Sequence, residues 1–213
     1  MNCPHCATKI LAGQEACSVC GFTAAAIRAY LGSDWVKLER ITDNSQRLSL
    51  RDTRHLEVVL DDFERRFPQC FIASYLGALP DTLTLPDLGF WLINHGAFQT
   101  RQISRRNDFG ILLIVDPLRQ DACFTVGYAL EPVLTDAVLM SILKKLSRPL
   151  AKGNVASAIE DAVRQIEAVL KKNARKERRH DEHPPAVVAD ATDLGLHTLR
   201  PPSRPLLHAN RPD

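Results

Sequence analysis

No stretch of this 213-residue chain approaches the ~18 consecutive apolar residues that a membrane span needs, so no spanning helix is expected. The start, Met1-Asn2-Cys3-Pro4, lacks the basic residues and apolar run of a secretory signal, which makes the cytoplasm the expected location. A reducing compartment in turn disfavours a disulfide framework for the six cysteines. There is no Gly-rich phosphate loop and no internal repeat. Neither His55 nor His95 has an evident Ser, Cys or Asp partner in sequence, so nucleophilic-triad chemistry has no support. Charge of one sign is also lacking: 27 Lys and Arg face 25 Asp and Glu, and 45% of the residues are hydrophobic. That is ordinary soluble composition, and the length suits one medium domain with small appendages.

What is present is unevenly distributed. Residues 1–22 hold one Lys and one Glu, whereas residues 171–213 hold nine basic and six acidic side chains, for a net charge of +3. Four of the six cysteines, Cys3, Cys6, Cys17 and Cys20, crowd into the first 20 residues. Cys70 and Cys123 stand alone in apolar surroundings and read as buried thiols within strands.

Cys3-Pro-His-Cys6 and Cys17-Ser-Val-Cys20 are two C-x-x-C pairs, and each can hold two thiolates on one side of a tight turn. Together they make a tetrahedral four-sulfur site, the donor set of structural zinc. Gly21 suits the close turn behind the second pair. A segment this short cannot bury a core, so metal binding has to supply its folding energy. Four protein ligands leave no open position, which argues against catalysis there. A redox C-x-x-C would open a helix in a βαβ unit, and none follows. His5 reads as a solvated turn residue. The pattern resembles the short zinc ribbon found at the start of many bacterial proteins.

Beyond a small-residue connector over 23–40, the pattern becomes regular. Ser49-Leu-Arg-Asp52 is a capping-box start for a helix running to about Phe67, with Leu56, Val59, Leu60 and Phe63 on one stripe and Pro68 ending it. Cys70 to Leu76 reads as a buried strand, and Thr84 starts a helix that stops near His95-Gly96. Gly110 to Val115 is a continuous apolar run, as expected of a strand covered on both faces. Ala122 to Tyr128 forms a hairpin with it across the turn Asp116 to Asp121. Two amphipathic helices close the domain: Thr135 to Leu146, carrying Val138, Ile142 and Leu146, and Asn154 to Lys171, carrying Ile159, Val163, Ile166 and Leu170. The expected fold class is α/β, a mixed sheet flanked by helices on both faces, with a parallel crossover from strand 70–76 through helix 85–95 to strand 110–115.

From about Ile41 to Leu170 the order of motifs resembles the TPM domain family. The matching features are Ile41-Thr-Asp43 followed by Leu48-Ser49, Asn107-Asp-Phe-Gly110 leading into the apolar strand, and Asp116-x-x-Arg119 after it. Val126-Gly-Tyr-Ala-Leu-Glu131, Leu134-Thr-Asp136, Pro149 and Gly153 follow. The resemblance implies an α/β sandwich. It also implies relatives of which some are described as acid phosphatases or metal-binding accessory proteins, many of them exported. Two departures weigh against carrying phosphatase activity over: neither signal nor anchor is expected here, and Pro117 stands where relatives often place a second carboxylate.

Ligands of open α/β sheets favour the crevice beyond the carboxyl ends of parallel strands, which here collects Gly77, Asp81, Asp116, Arg119 and Asp121. Asp116, Arg119 and Asp121 are the candidate catalytic residues: the two carboxylates would hold a hard divalent cation, Ca2+ or Mg2+, and Arg119 would clamp a phosphate. The competing and preferred reading is a hairpin turn in which Asp116 accepts backbone N–H bonds. The opposite edge gathers Asn107, Asp108, Glu131 and Asp136, the last two read as helix-start residues. Residues 173–213, basic and holding six prolines, read as a disordered tail. The functional expectation is a zinc-ribbon and TPM-domain binding or accessory module whose partner is another protein. A metal-dependent phosphatase-like hydrolase, or nucleic-acid binding through the ribbon and tail, stand as alternatives.

Overall fold

A computed structural model describes residues 3–6, 8–11, 13–99 and 107–182, with side chains to Lys176. Three parallel strands and one antiparallel strand form the central sheet, β2 (Ile41–Asp43), β3 (Phe71–Leu76), β5 (Gly110–Asp116) and β6 (Asp121–Val126), in the spatial order β2-β3-β5-β6. Helix α2 (Leu50–Arg66) links β2 to β3, and α3 (Leu85–His95) links β3 to β5, so both parallel pairs arise through helical crossovers. β5 and β6 form the expected hairpin, closed by the Asp116–Asp121 pair. Two helices follow, α4 (Asp136–Ala151) and α5 (Val155–Glu182).

Alternation along the buried strands sorts their side chains onto two faces. Ile72, Leu76, Ile111, Leu113 and Val115 pack with Leu56, Leu60 and Phe63 of α2, with Ile142 and Leu146 of α4, and with Ile159, Val163 and Ile166 of α5. Phe71, Ala73, Leu112 and Ile114 face the other way, onto Leu88, Trp91 and Leu92 of α3. The sheet is therefore covered on both sides, which is why β5 is buried throughout and apolar up to its terminal Asp116. Local chemistry sets the helix starts. Ser49 and Asp52 form a reciprocal capping box at α2, and Thr84 caps α3 through the Asp87 N–H.

Four features differ from the sequence reading, the first being β2, a span the sequence reading leaves without an element. The segment 23–40 carries α1 (Ala24–Leu31) and the short strand β1 (Val36–Leu38), which pairs parallel with β4 (Gly96–Phe98) immediately after α3. Three-residue strands are too short to leave a period in the sequence. Helix α5 runs 11 residues past Lys171, because Ala, Arg, Lys and Glu are strong helix formers and Lys171 pairs with Glu167 one turn back. In α4 the inward position is Leu139, with Val138 at the margin of the core. The disorder expected of the tail, and the nucleic-acid role attached to it, lie for residues 183–213 outside the described residues. No helix among the described residues is long and apolar enough to cross a membrane.

Candidate functional site

The two C-x-x-C turns face each other. The backbone N–H of Cys3 donates to Thr8 O and that of Cys17 to Phe22 O, which closes both loops. Gly21 holds φ +73, the left-handed conformation the turn after Cys20 requires. Sγ atoms lie 3.6 Å apart for Cys3 and Cys20 and 3.6 Å apart for Cys6 and Cys17, and all four fall within 4.8 Å of one another. With Zn–S bonds of about 2.3 Å, a tetrahedron has S–S edges of about 3.8 Å, so this cage fits a four-thiolate metal. The separations are far beyond a disulfide bond of about 2.05 Å, and all the cysteines are free. The Thr8 hydroxyl, 3.3 Å away, and the Thr8 backbone pull the Cys6 thiol down to about 6, which favours the ligating thiolate. Among the described residues, these four make up the one group of three or more His, Cys, Asp or Glu side chains whose ligand atoms converge in this way.

The knuckle is docked on α3. His5, expected as a solvated turn residue, places Nδ1 3.2 Å from Asp87 Oδ1, and Phe22 meets Phe90 edge-on with ring centroids 5.4 Å apart. The adjoining α1 is tied down by Trp91 Nε1, which donates to Gly32 O at 2.8 Å, and by a 2.9 Å bond between the Tyr30 and Thr82 hydroxyls. Nothing in the local sequence signals these contacts. Asp87 looks only like a helix-start carboxylate, and its His5 partner lies 82 residues earlier.

Between the knuckle and the sheet lies a cleft of about 1130 Å³. Its walls come from Cys3 and Pro4, from β1 and β4, from the exposed side of α3, and from β6 together with the start of α4. Trp35 and Tyr128 border it at 68% and 63% exposure, unusually high for residues of their size. Asn107, Asp108, Glu131 and Asp136, which the strand order gathers at this edge, all line the cleft. Asp136 lies in the first turn of α4, as expected, while Glu131 precedes the helix. Gly127 fits here because a Cβ would lie 2.2 Å from the carbonyl oxygens of both Asn107 and Asp108. The close approach brings Tyr128 Oη within 3.0 Å of the Asp108 carboxylate.

At the carboxyl ends of the parallel strands, Asp116 and Arg119 come together with Asp81, and the bonds they make are those of a turn. Asp116 is fully buried. Its Oδ1 accepts from the N–H groups of Leu118 and Arg119 at 2.9 and 3.1 Å, and its Oδ2 from Leu79 at 3.0 Å. The Arg119 guanidinium donates to Leu83 O, Leu79 O and Asp81. Asp121 is exposed at the other side of the hairpin and accepts from Ala122 N–H at 2.8 Å. Burial alone would raise the Asp116 pKa. The three backbone donors and the Arg119 charge outweigh it and hold the carboxyl below its ordinary value. A depressed folded-state pKa gives stability that is fully present above the unfolded value of about 3.9 and is lost as pH falls through the folded one. Asp116→Ala, which orphans three N–H donors, is expected to cost about 1–3 kcal/mol at neutral pH by urea denaturation. The penalty should shrink in acid, where the wild-type carboxyl is protonated. Cys123, half-buried on β6, has its thiol pushed up to about 12 by burial and by the Asp121 charge, as befits an inert core thiol.

Fold and site define a class: a helix-flanked mixed sheet with a four-cysteine, metal-competent knuckle docked against it. A profile of the TPM domain family matches residues 41–169, and the chain belongs to that family. Among solved structures, the solution NMR structure of the N-terminal domain of a P. gingivalis protein is similar at 21% identity and a TM-score of 0.49, covering 63% of this chain and 83% of that one. A comparison with curated proteins gave no match.

Proposed function

We propose that this chain is a cytoplasmic binding or accessory module in which a structural zinc on Cys3, Cys6, Cys17 and Cys20 fixes the knuckle, and that its cleft takes another protein. The observation that carries this reading is the cleft itself, with Trp35 and Tyr128 left exposed at its border. Aromatic side chains of this size are the usual anchors of protein interfaces. A closed thiolate cluster also suits a reducing compartment. Asp116, Arg119 and Asp121 remain the groups a hydrolase would use, but the oxygens of Asp116 are spent on backbone donors, which favours the binding reading.

Two measurements test it. Purified full-length chain should not hydrolyse p-nitrophenyl phosphate with or without Mg2+ or Ca2+, and activity abolished by Asp116→Ala would overturn the reading in favour of the hydrolase. In parallel pull-downs from its own cells, proteins recovered by the wild type should be lost from a Trp35→Ala, Tyr128→Ala variant. Identical recovery by the two would remove the cleft from the function.

A further inference from the structure

β6 is the outer strand of the sheet on the side of the cleft, and its last three residues, Phe124, Thr125 and Val126, line that cleft. The ladder fixes which of its backbone groups are spoken for. Gly127 N–H donates to Gly110 O at 2.8 Å, so Gly110 and Gly127 form a hydrogen-bonded pair of the antiparallel ladder. Such pairs alternate with non-bonded ones. Thr125 and Cys123, opposite Leu112 and Ile114, therefore bond to β5, while Phe124 and Val126 turn their N–H and C=O groups away from it. Ala122 also faces outward, but its N–H is taken by the Asp121 carboxylate. Among the described residues, no donor or acceptor meets the outward groups of Phe124 and Val126.

An unpaired edge opening into a cleft is a template for another strand. The side chains around it select the kind of strand. Glu131 and Asp136 line the cleft with no ion pair among the described residues, and Lys37 is the one lysine or arginine among the described lining residues. The exposed rings of Trp35 and Tyr128 add faces on which cationic side chains stack well.

We propose that an extended, lysine- or arginine-rich segment of a partner protein adds to β6 as a fifth strand, bonding through Phe124 and Val126 and setting its basic side chains toward Glu131 and Asp136. This rests on the binding reading above and names its partner chemistry and mode.

The test is amide hydrogen exchange and chemical-shift mapping on the zinc-loaded full-length chain, with a terminally blocked alternating Lys-Val peptide as probe and its Glu-Val counterpart as control. In the free chain, the amides of Phe124 and Val126 should exchange much faster than those of Cys123 and Thr125. At saturation with the Lys-Val peptide their exchange should slow by about tenfold or more, with Cys123 and Thr125 little changed. Glu131→Gln should weaken that binding severalfold while leaving the free-state spectrum otherwise intact. Phe124 and Val126 amides already protected in the free chain would overturn the proposal, because a segment of the chain itself would then occupy the edge. Shifts at Trp35 and Tyr128 without new protection on β6 would overturn strand addition while leaving the cleft as a binding site. Equal binding of the Glu-Val peptide would overturn the basic partner. No response anywhere in the cleft would overturn the proposal as a whole, and the pull-down comparison would then decide the fate of the wider reading.

Discussion

Removing the metal is expected to release residues 3–22 from α3 while the α/β body stays folded. The knuckle owns almost no core: Cys3, Ile10 and Cys17 are its buried apolar side chains, with Cys6 and Phe22 packed against them. So small a cluster cannot offset the conformational entropy of ordering some 20 residues, at about 1–2 kcal/mol each for the backbone alone. Structural zinc in comparable small folds contributes about 10–16 kcal/mol at neutral pH, enough to tip that balance. Docking adds the His5–Asp87 contact and the Phe22–Phe90 edge-to-face pair, the latter worth about 0.5–1.5 kcal/mol beyond its buried area, too little to hold an unfolded segment in place. The body, by contrast, has its own two-faced core, none of which includes a knuckle residue. Full-length chain should carry about one zinc by elemental analysis, and Cys17→Ser should carry far less, since three thiolates leave the cage open. On chelation, the amide resonances of residues 3–22 should collapse toward random-coil positions and Phe90 should shift. Those of β3 and β5 should stay where they are. Full zinc occupancy in Cys17→Ser, or an unchanged knuckle spectrum after chelation, would refute the metal assignment. The cleft should open as well, because Cys3, Pro4 and Phe90 are part of its wall.

Where the physics is local, the sequence states it. The Ser49 and Asp52 capping box, the Thr84 cap, the unbroken apolar run of β5 and the 3.6-residue stripe of α5 each encode one element without reference to the rest of the chain. The cysteine cage was legible for the same reason, since its chemistry lies in two four-residue turns. The parallel crossover from β3 to β5 and the β5–β6 hairpin follow from the alternation of elements, and with them the gathering of Asn107, Asp108, Glu131 and Asp136 at one edge. What the sequence did not reveal depends on distant pairings. The cleft needs Trp35 from before β1 and Phe98 from β4, strands that exist only because α3 delivers Gly96 beside Val36. Likewise, Phe124 and Val126 become an open edge only once β6 is known to be outermost. One missed group did leave a trace. Glu57, Asp61 and Glu64 recur at helical spacing on α2, an acidic stripe running beside the apolar one, and such a stripe asks for a cation.

That cation is Arg40, and its loss is expected to be among the most destabilising single changes in the body. Arg40 lies between β1 and β2, where its carbonyl accepts from Ser74 N–H at 2.7 Å, and its side chain is only 11% exposed. The guanidinium fork spans three carboxylates at once: Nη1 reaches Asp61 at 2.9 Å and Glu64 at 3.2 Å, and Nη2 bonds Glu57. Burial would favour the neutral guanidine, but Asp61, Glu57 and Glu64 together outweigh it and raise the Arg40 pKa. Glu57 and Asp61 are about a third exposed, so water solvates them if the arginine goes, and they contribute little on their own. Glu64 is different. Its side chain is fully buried, so Arg40→Ala strips its charge of that partner in a place water does not reach. Breaking a buried pair from one side typically costs about 3–5 kcal/mol, a large share of the about 5–15 kcal/mol that holds a domain together. Arg40→Lys should recover only part of this, because one ammonium cannot reproduce the planar fork across three acceptors. Replacing both partners should recover more: Arg40→Met with Glu64→Leu removes the buried carboxylate together with its arginine and fills the space with apolar atoms. Urea denaturation of the wild type and the three variants measures the order directly. If Arg40→Ala lies within about 0.5 kcal/mol of wild type, the range of ordinary surface substitutions, the cluster is a solvated surface feature and Glu64 is paired well enough without it. If the double variant is no more stable than Arg40→Ala, the loss is one of packing around the arginine stem and not of a buried carboxylate deprived of its arginine.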